Sequence, residues 1–183
     1  MAIELSSNYL SLEAFEEILR SNETLVLSEQ LKEGINKCRA YIDQKMAQTE
    51  HLIYGVNTGF GSLCNTAVGK EDLEELQRNL VCSHACGIGE EVPQEIVKRM
   101  LLLKVLGLSK GASGVRLETI ERLLFFYNNR IFPRVFQQGS LGASGDLAPL
   151  AHLSLPLIGE GEVYYENQLI KSSELNKKFN LSP

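Results

Sequence analysis

Gln138-Gly139-Ser140-Leu141-Gly142-Ala143-Ser144-Gly145-Asp146-Leu147-Ala148-Pro149-Leu150-Ala151-His152 is the stretch on which the reading of this chain turns. Glycines at 139, 142 and 145 let the backbone bend tightly where side chains would collide. Inside it, Ala143-Ser144-Gly145 has the residue types for covalent chemistry on its own backbone. Attack of the Gly145 amide nitrogen on the Ala143 carbonyl carbon closes a five-membered ring. Loss of one water makes the ring aromatic, and loss of the Ser144 hydroxyl as a second leaves an exocyclic methylene. The product, 4-methylideneimidazol-5-one, is an electrophile built from the chain alone. Glycine supplies an unhindered nucleophile, serine a leaving hydroxyl on Cβ, and alanine minimal crowding. Downstream, Asp146 is placed to N-cap a short helix with Pro149 in its first turn, where a missing N–H costs little. That helix would point its positive end at the ring.

Working outward, 183 residues with 44% hydrophobic content suit a single domain, residues 1–183, with a sizeable core. A net charge of −5 argues against nucleic acid as a partner. Met1-Ala2-Ile3-Glu4-Leu5 lacks the basic and long apolar regions of a signal peptide, and no apolar run reaches membrane-span length. The expectation is a cytoplasmic protein that does not enter a membrane. Cysteines at 38, 64, 82 and 86 then read as buried thiols and not as disulfides.

Most of the chain has helical patterning. Ser11 is placed to cap a helix through Arg20, and Ser28 opens a longer one with Leu31, Ile35, Cys38, Ile42 and Met46 on one stripe. Leu73, Leu76, Leu80 and Val81 mark a third, ending in Cys82-Ser83-His84-Ala85-Cys86-Gly87. Cys82, His84 and Cys86 suggest a metal site, but in a helix His84 lies off the face the cysteines share, and no second cluster completes a zinc set. No metal is expected. Pro93 starts an apolar helix, and Val115 to Tyr127 carries another. Between them lies a second Ala-Ser-Gly, Ala112-Ser113-Gly114, and composition alone does not say which triad cyclises. Pro156 ends the short helix, Val163-Tyr164-Tyr165 and Leu169-Ile170 flank a turn as a small β-hairpin, and Ser173 begins a last helix. The fold class expected is mainly α, with that hairpin near the C-terminal end as the β structure of note.

The segment His51-Leu52-Ile53-Tyr54-Gly55-Val56-Asn57-Thr58-Gly59-Phe60-Gly61 loses periodicity and reads as an extended piece entering a loop. Its glycines match neither common nucleotide signature, and no phosphate-reaching lysine follows a strand.

Residues 139–152 together with Tyr54-Gly-Val-Asn-Thr-Gly-Phe-Gly and Leu76-Gln-Arg-Asn-Leu-Val-Cys-Ser-His84 resemble the aromatic amino acid ammonia-lyases, with the histidine-specific members nearest. The resemblance implies the N-terminal helical domain of that fold, with a methylideneimidazolone formed from Ala143-Ser144-Gly145 and no external cofactor. It implies Tyr54 as the catalytic base, in a mobile loop over the site; a phenol serves as a base only once its proton is withdrawn. Ser83 and His84 become substrate-binding residues for the imidazole of L-histidine, since tyrosine-specific relatives show His-Leu there and phenylalanine-specific ones Phe-Leu. Asp146 supports ring maturation. Ala112-Ser113-Gly114 becomes a decoy, because the family shows Gly-x-Ser-Gly-Val-Arg there without a ring. The reaction implied is loss of ammonia from L-histidine to give urocanate, in a homo-oligomer that is a tetramer in the family. The resemblance covers only the family's N-terminal part, without its carboxylate-binding arginine or second tyrosine, so the isolated chain is expected to be inactive. The competing readings are a catalytically incompetent helical remnant acting as an interaction module, and a lyase for another aromatic amino acid.

Overall fold

The computed structural model describes residues 2–48, 52–58 and 72–182. The chain is mainly helical, and its residues divide into two compact units interleaved along the sequence. The first comprises Met1–Ala47, Val92–Phe132 and Val163–Ile170, the second Gln48–Glu91, Pro133–Glu162 and Lys171–Pro183.

In the first unit β1 (Ala2–Leu5) pairs in parallel with β2 (Thr24–Leu27), with α1 (Leu12–Arg20) as the connection. Ser11 begins α1 as its sequence implies, its Oγ accepting the Ala14 N–H at 3.2 Å. Helix α2 (Glu29–Gln48) buries Leu31 and Ile35, and its stripe then emerges so that Cys38, Ile42 and Met46 are half-buried. Helices α4 (Gln94–Leu108) and α5 (Leu117–Asn128) pack together, and Leu101, Leu102, Val105, Ile120 and Phe126 lose all contact with water. At the end of α5, the Asn128 side chain accepts the Leu25 N–H and donates to the Leu25 carbonyl, both at 2.9 Å, extending the hydrogen bonding of β2 as a strand would. Between α4 and α5 the second triad is wedged against α2. A side chain on Gly114 (φ +69°) would come 2.7 Å from Ile42 Cγ1.

The expected hairpin forms from β6 (Glu162–Tyr165) and β7 (Gln168–Lys171), in a three-stranded sheet ordered β4-β6-β7 with β4 at Phe132–Pro133. Its turn is tighter than the sequence suggests: Glu166 and Asn167 at φ 51° and 61° make a two-residue turn whose twist suits flanking strands. The hairpin is not the only β structure among the described residues, however. The β1–β2 pair and a further antiparallel pair below also form, because their partners lie far apart in sequence and leave no local pattern.

The second unit holds α3 (Leu73–His84), β3 (Ile88–Glu91), β5 (Phe136–Gln138), α6 (Leu147–Ser154) and α7 (Ser172–Phe179). Strand β3 pairs antiparallel with β5. Arg134 braces the pair, reaching Glu91 and Glu162 at 2.7 Å each and lying 5.0 Å over the Phe136 ring. Helix α6 ends at Ser154, and Pro156 sits inside a following 3-10 turn, Leu155–Ile158. The described cysteines 38, 82 and 86 are free thiols, but none is buried as expected: Cys38 and Cys82 are half-buried and Cys86 is exposed; Cys64 lies outside the described residues. Among the described residues no helix is long and apolar enough to cross a membrane.

Candidate active site

Every candidate site residue falls within the second unit. The glycine-rich stretch is a loop pinned at both ends and open in the middle. At its start Gly139 (φ +148°) lies against another glycine: a side chain there would meet the Gly87 Cα at 2.8 Å and the Ala148 Cβ at 3.2 Å. Only glycine lets the two backbones cross this closely. At its far end α6 begins, and the Ser140 Oγ accepts the Ala148 N–H at 2.8 Å. Asp146 occupies the N-cap position as expected, but its side chain accepts none of the helix's N–H groups. Its backbone is already helical (φ −104°, ψ −8°), whereas a capping side chain normally folds back from an extended residue, so Ser140 takes that role from eight residues away. Between the pins, residues 141–147 are exposed.

Within this open part sit Ala143, Ser144 and Gly145. Gly145 has φ +68°, and nothing lies within 4 Å of where a side chain would project at Gly142 or Gly145. The triad therefore has a terminal glycine in the left-handed region and room around it, which suits a backbone that must fold onto itself. Gly114 of the other triad has a similar φ but is buried, with Ile42 filling the space beside it and Arg39 Nη1 donating to its carbonyl at 3.4 Å.

Ser83 and His84 end α3, which packs on α6. Both turn toward their own helix: Ser83 Oγ donates to the Leu80 carbonyl at 3.1 Å and His84 Nδ1 to the same oxygen at 2.5 Å. A carbonyl oxygen only accepts, so Nδ1 carries a proton. Cys86 Sγ meets the Gly139 carbonyl at 3.5 Å. His84 and Cys86 thus meet backbone carbonyls, and among the described residues no three metal-binding side chains gather.

Tyr54 stands on a tight turn closed by Ile53 N–H to Asn57 Oδ1 at 2.7 Å and Gly55 N–H to Thr58 Oγ1 at 3.3 Å. Tyr54 is 63% exposed. Gln77 Nε2 on α3 donates to the Val56 carbonyl at 3.4 Å, tying this turn to the helix that ends in His84. His51 and Gly59-Phe60-Gly61 of the same segment lie outside the described residues. Helix α3 thus connects all three parts: the Tyr54 turn along its side, Ser83 and His84 at its end, and the triad's helix α6 packed against it.

His152, the last residue of the opening stretch, has a part that its sequence position does not disclose. It is buried, its Nε2 accepts the Gly87 N–H at 2.8 Å, and its ring meets Phe136 edge-on at 5.2 Å. Burial pushes its pKa below the ordinary 6.5, which keeps Nε2 an acceptor. The basic residues nearby are engaged elsewhere: Arg78 pairs with Glu160, and Arg134 with Glu91 and Glu162.

Comparison with known proteins identifies the family. The family model for aromatic amino acid lyase matches residues 10–183. Histidine ammonia-lyase of Legionella pneumophila (strain Lens) is 47% identical over 179 residues, which are 98% of this chain and 35% of that protein. The crystal structure of histidine ammonia-lyase from Trypanosoma cruzi superposes with a TM-score of 0.84 at 32% identity, covering 100% of this chain and 35% of that one. Tyrosine aminomutase from Streptomyces globisporus gives 0.88 at 29% identity, over 100% of this chain and 34% of that one. The chain spans about a third of the length of the curated relatives it matches. With residues 10–183 matched, the chain belongs to the aromatic amino acid lyase family.

Proposed function

We propose that this chain carries the ring-forming part of a histidine ammonia-lyase, which eliminates ammonia from L-histidine to give urocanate. The observation that carries the reading is the open, end-pinned loop 139–147 with Gly145 in the left-handed region, packed through α6 against the helix that ends in Ser83-His84. The relatives named histidine ammonia-lyase support the choice of substrate.

The chemical difficulty is twofold: the β-proton of histidine is barely acidic, and ammonia leaves poorly. A methylideneimidazolone formed from Ala143, Ser144 and Gly145 would supply the electrophile that makes the amine a competent leaving group. The chain's own residues do the rest. The substrate imidazole donates its N–H to His84 Nε2, and the neighbouring Ser83 hydroxyl leaves a small side chain beside it. Tyr54 takes the β-proton; the C–H electron pair becomes the new C=C bond and the C–N pair departs with ammonia. The N–H groups at the start of α6 favour negative charge near the triad, beside Asp146. Holding base, electrophile and substrate together removes much of the entropic barrier. We further propose that the protein works as a homo-oligomer, a tetramer as in the family. The apolar Ile88, Leu141 and Leu147, 66%, 105% and 54% exposed, are surface that such an assembly would cover.

The test is peptide mapping of the purified chain, followed by a urocanate assay by ultraviolet absorbance in a polypeptide of the relatives' length that includes residues 1–183. Loss of two waters from the peptide holding Ser144, and urocanate formed from L-histidine, are expected. An unmodified peptide would favour the interaction-module reading. A mature ring with product from tyrosine or phenylalanine alone would instead make this a lyase for another aromatic amino acid.

A further inference from the structure

The geometry points to His152 as a positioning residue, whose Nε2, by holding the Gly87 N–H, sets the spacing between the His84 end of α3 and the ring-forming loop. The inference rests on the reading above that His84 and the triad serve one site.

Three segments meet at this point: the stretch leaving α3 through Ala85 to Gly87, the end of β5 with Gly139, and α6. None has much room to adjust. A side chain on Gly87 would strike His152 Nε2 at 2.8 Å and Phe136 Cβ at 3.0 Å, and one on Gly139 would strike Gly87. His152 projects from α6, and its ring is fixed by the edge contact with Phe136 on β5. The bond spans 65 residues of sequence and joins a backbone N–H three residues beyond His84 to a side chain seven residues beyond Gly145. Cys86 Sγ, at 3.5 Å from the Gly139 carbonyl, makes a longer and weaker contact at the same crossing. With His152 lost as an acceptor, the Gly87 N–H loses the bond that ties it to α6, and both the His84 end of α3 and the start of the loop gain freedom. Ring closure needs a backbone nitrogen held against a carbonyl carbon, so looseness of about an ångström slows it strongly.

The test compares His152→Phe, which keeps the bulk and the contact with Phe136 but has no acceptor, with His152→Gln, whose Oε1 is as many bonds from Cβ as Nε2. Amide exchange by NMR reads the spacing directly. His152→Phe is expected to raise exchange at Gly87, Ser83, His84 and residues 139–143, and to slow the two-water loss at Ser144 roughly ten- to a hundredfold. His152→Gln should restore most of both. Exchange at 83–87 and 139–143 unchanged by His152→Phe would overturn the inference. If His152→Phe does not fold, the wild-type chain decides: scalar coupling across the bond from the Gly87 nitrogen to Nε2 is expected, and its absence overturns the inference equally. If the wild-type chain shows no two-water loss, the functional reading falls, while the exchange data still decide whether His152 sets the spacing.

Discussion

Ser140 Oγ accepts the backbone N–H of Ala148 at 2.8 Å, so one hydroxyl closes the ring-forming loop onto the first turn of the helix that follows it. Ala148 is buried, and without Ser140 its N–H would have to be left unpaired or the loop would have to shift. Ser140→Ala should therefore cost roughly 1–2 kcal/mol by denaturant titration, in the range for a lost helix cap. Asp146→Ala, whose side chain makes no capping bond, should cost distinctly less in the same titration. Equal losses would mean that Asp146 caps after all.

The two Ala-Ser-Gly triads should separate cleanly. Gly145 has open space around it, whereas Gly114 is buried against Ile42. Ser144→Ala removes the leaving hydroxyl and should abolish the two-water mass loss; Ser113→Ala should leave it intact. Gly114→Ala, strained by a φ of +69° and by the 2.7 Å approach to Ile42, should destabilise the fold by about 1–3 kcal/mol. A mass loss mapped to residue 113 would reverse the assignment.

What the sequence disclosed and what it withheld follow from range. The cap at Ser11, the helix opened after Ser28 and the hairpin around Glu166-Asn167 depend on neighbours within a few residues, and all are readable. The pairing of β1 with β2 and of β3 with β5 is not, because four residues such as Ile88–Glu91 have no alternation to betray a strand. For the candidate site, Ala143, Ser144, Gly145, Tyr54, Ser83 and His84 are named by residue type and motif alone, and the structure adds where each lies. His152 is not so named, since its role exists only where Gly87 crosses Gly139. The available signal was a histidine closing the motif, together with two distant glycines that no turn explained. The capping role given to Asp146 followed from residue preference, which cannot register that Ser140 reaches the same helix end from outside it.

Stability should depend on pH through His152. Burial holds its pKa below the ordinary 6.5, so the unfolded chain binds this proton more readily than the folded one. The contribution is fully present above 6.5 and is lost as pH falls from there toward the depressed folded value. Protonation also puts a hydrogen on Nε2, which can then no longer accept the Gly87 N–H. The thermal midpoint should drop across that window in the wild-type chain and drop less in His152→Gln. Equal slopes would show that other groups govern the acid limb.

Substrate choice should rest on the end of α3. His84 Nδ1 is committed to the Leu80 carbonyl, and its Nε2 is the proposed acceptor for an imidazole N–H. A phenol ring offers its hydroxyl farther out and has no N–H at that position. Replacing Ser83 with His and His84 with Leu removes the acceptor and puts an apolar group where the imidazole would bind. A site built to hydrogen-bond a substrate N–H loses it badly when the partner is deleted, because the substrate's polar group is then buried unpaired. In the relatives' length of polypeptide, kcat/KM for L-histidine should fall by roughly a hundredfold or more, and the preference should move toward tyrosine. Ser83→Ala alone should change little, since its hydroxyl is already turned to Leu80. If the double substitution left the histidine preference unchanged, Ser83 and His84 would be packing residues, and the imidazole would have to be recognised elsewhere.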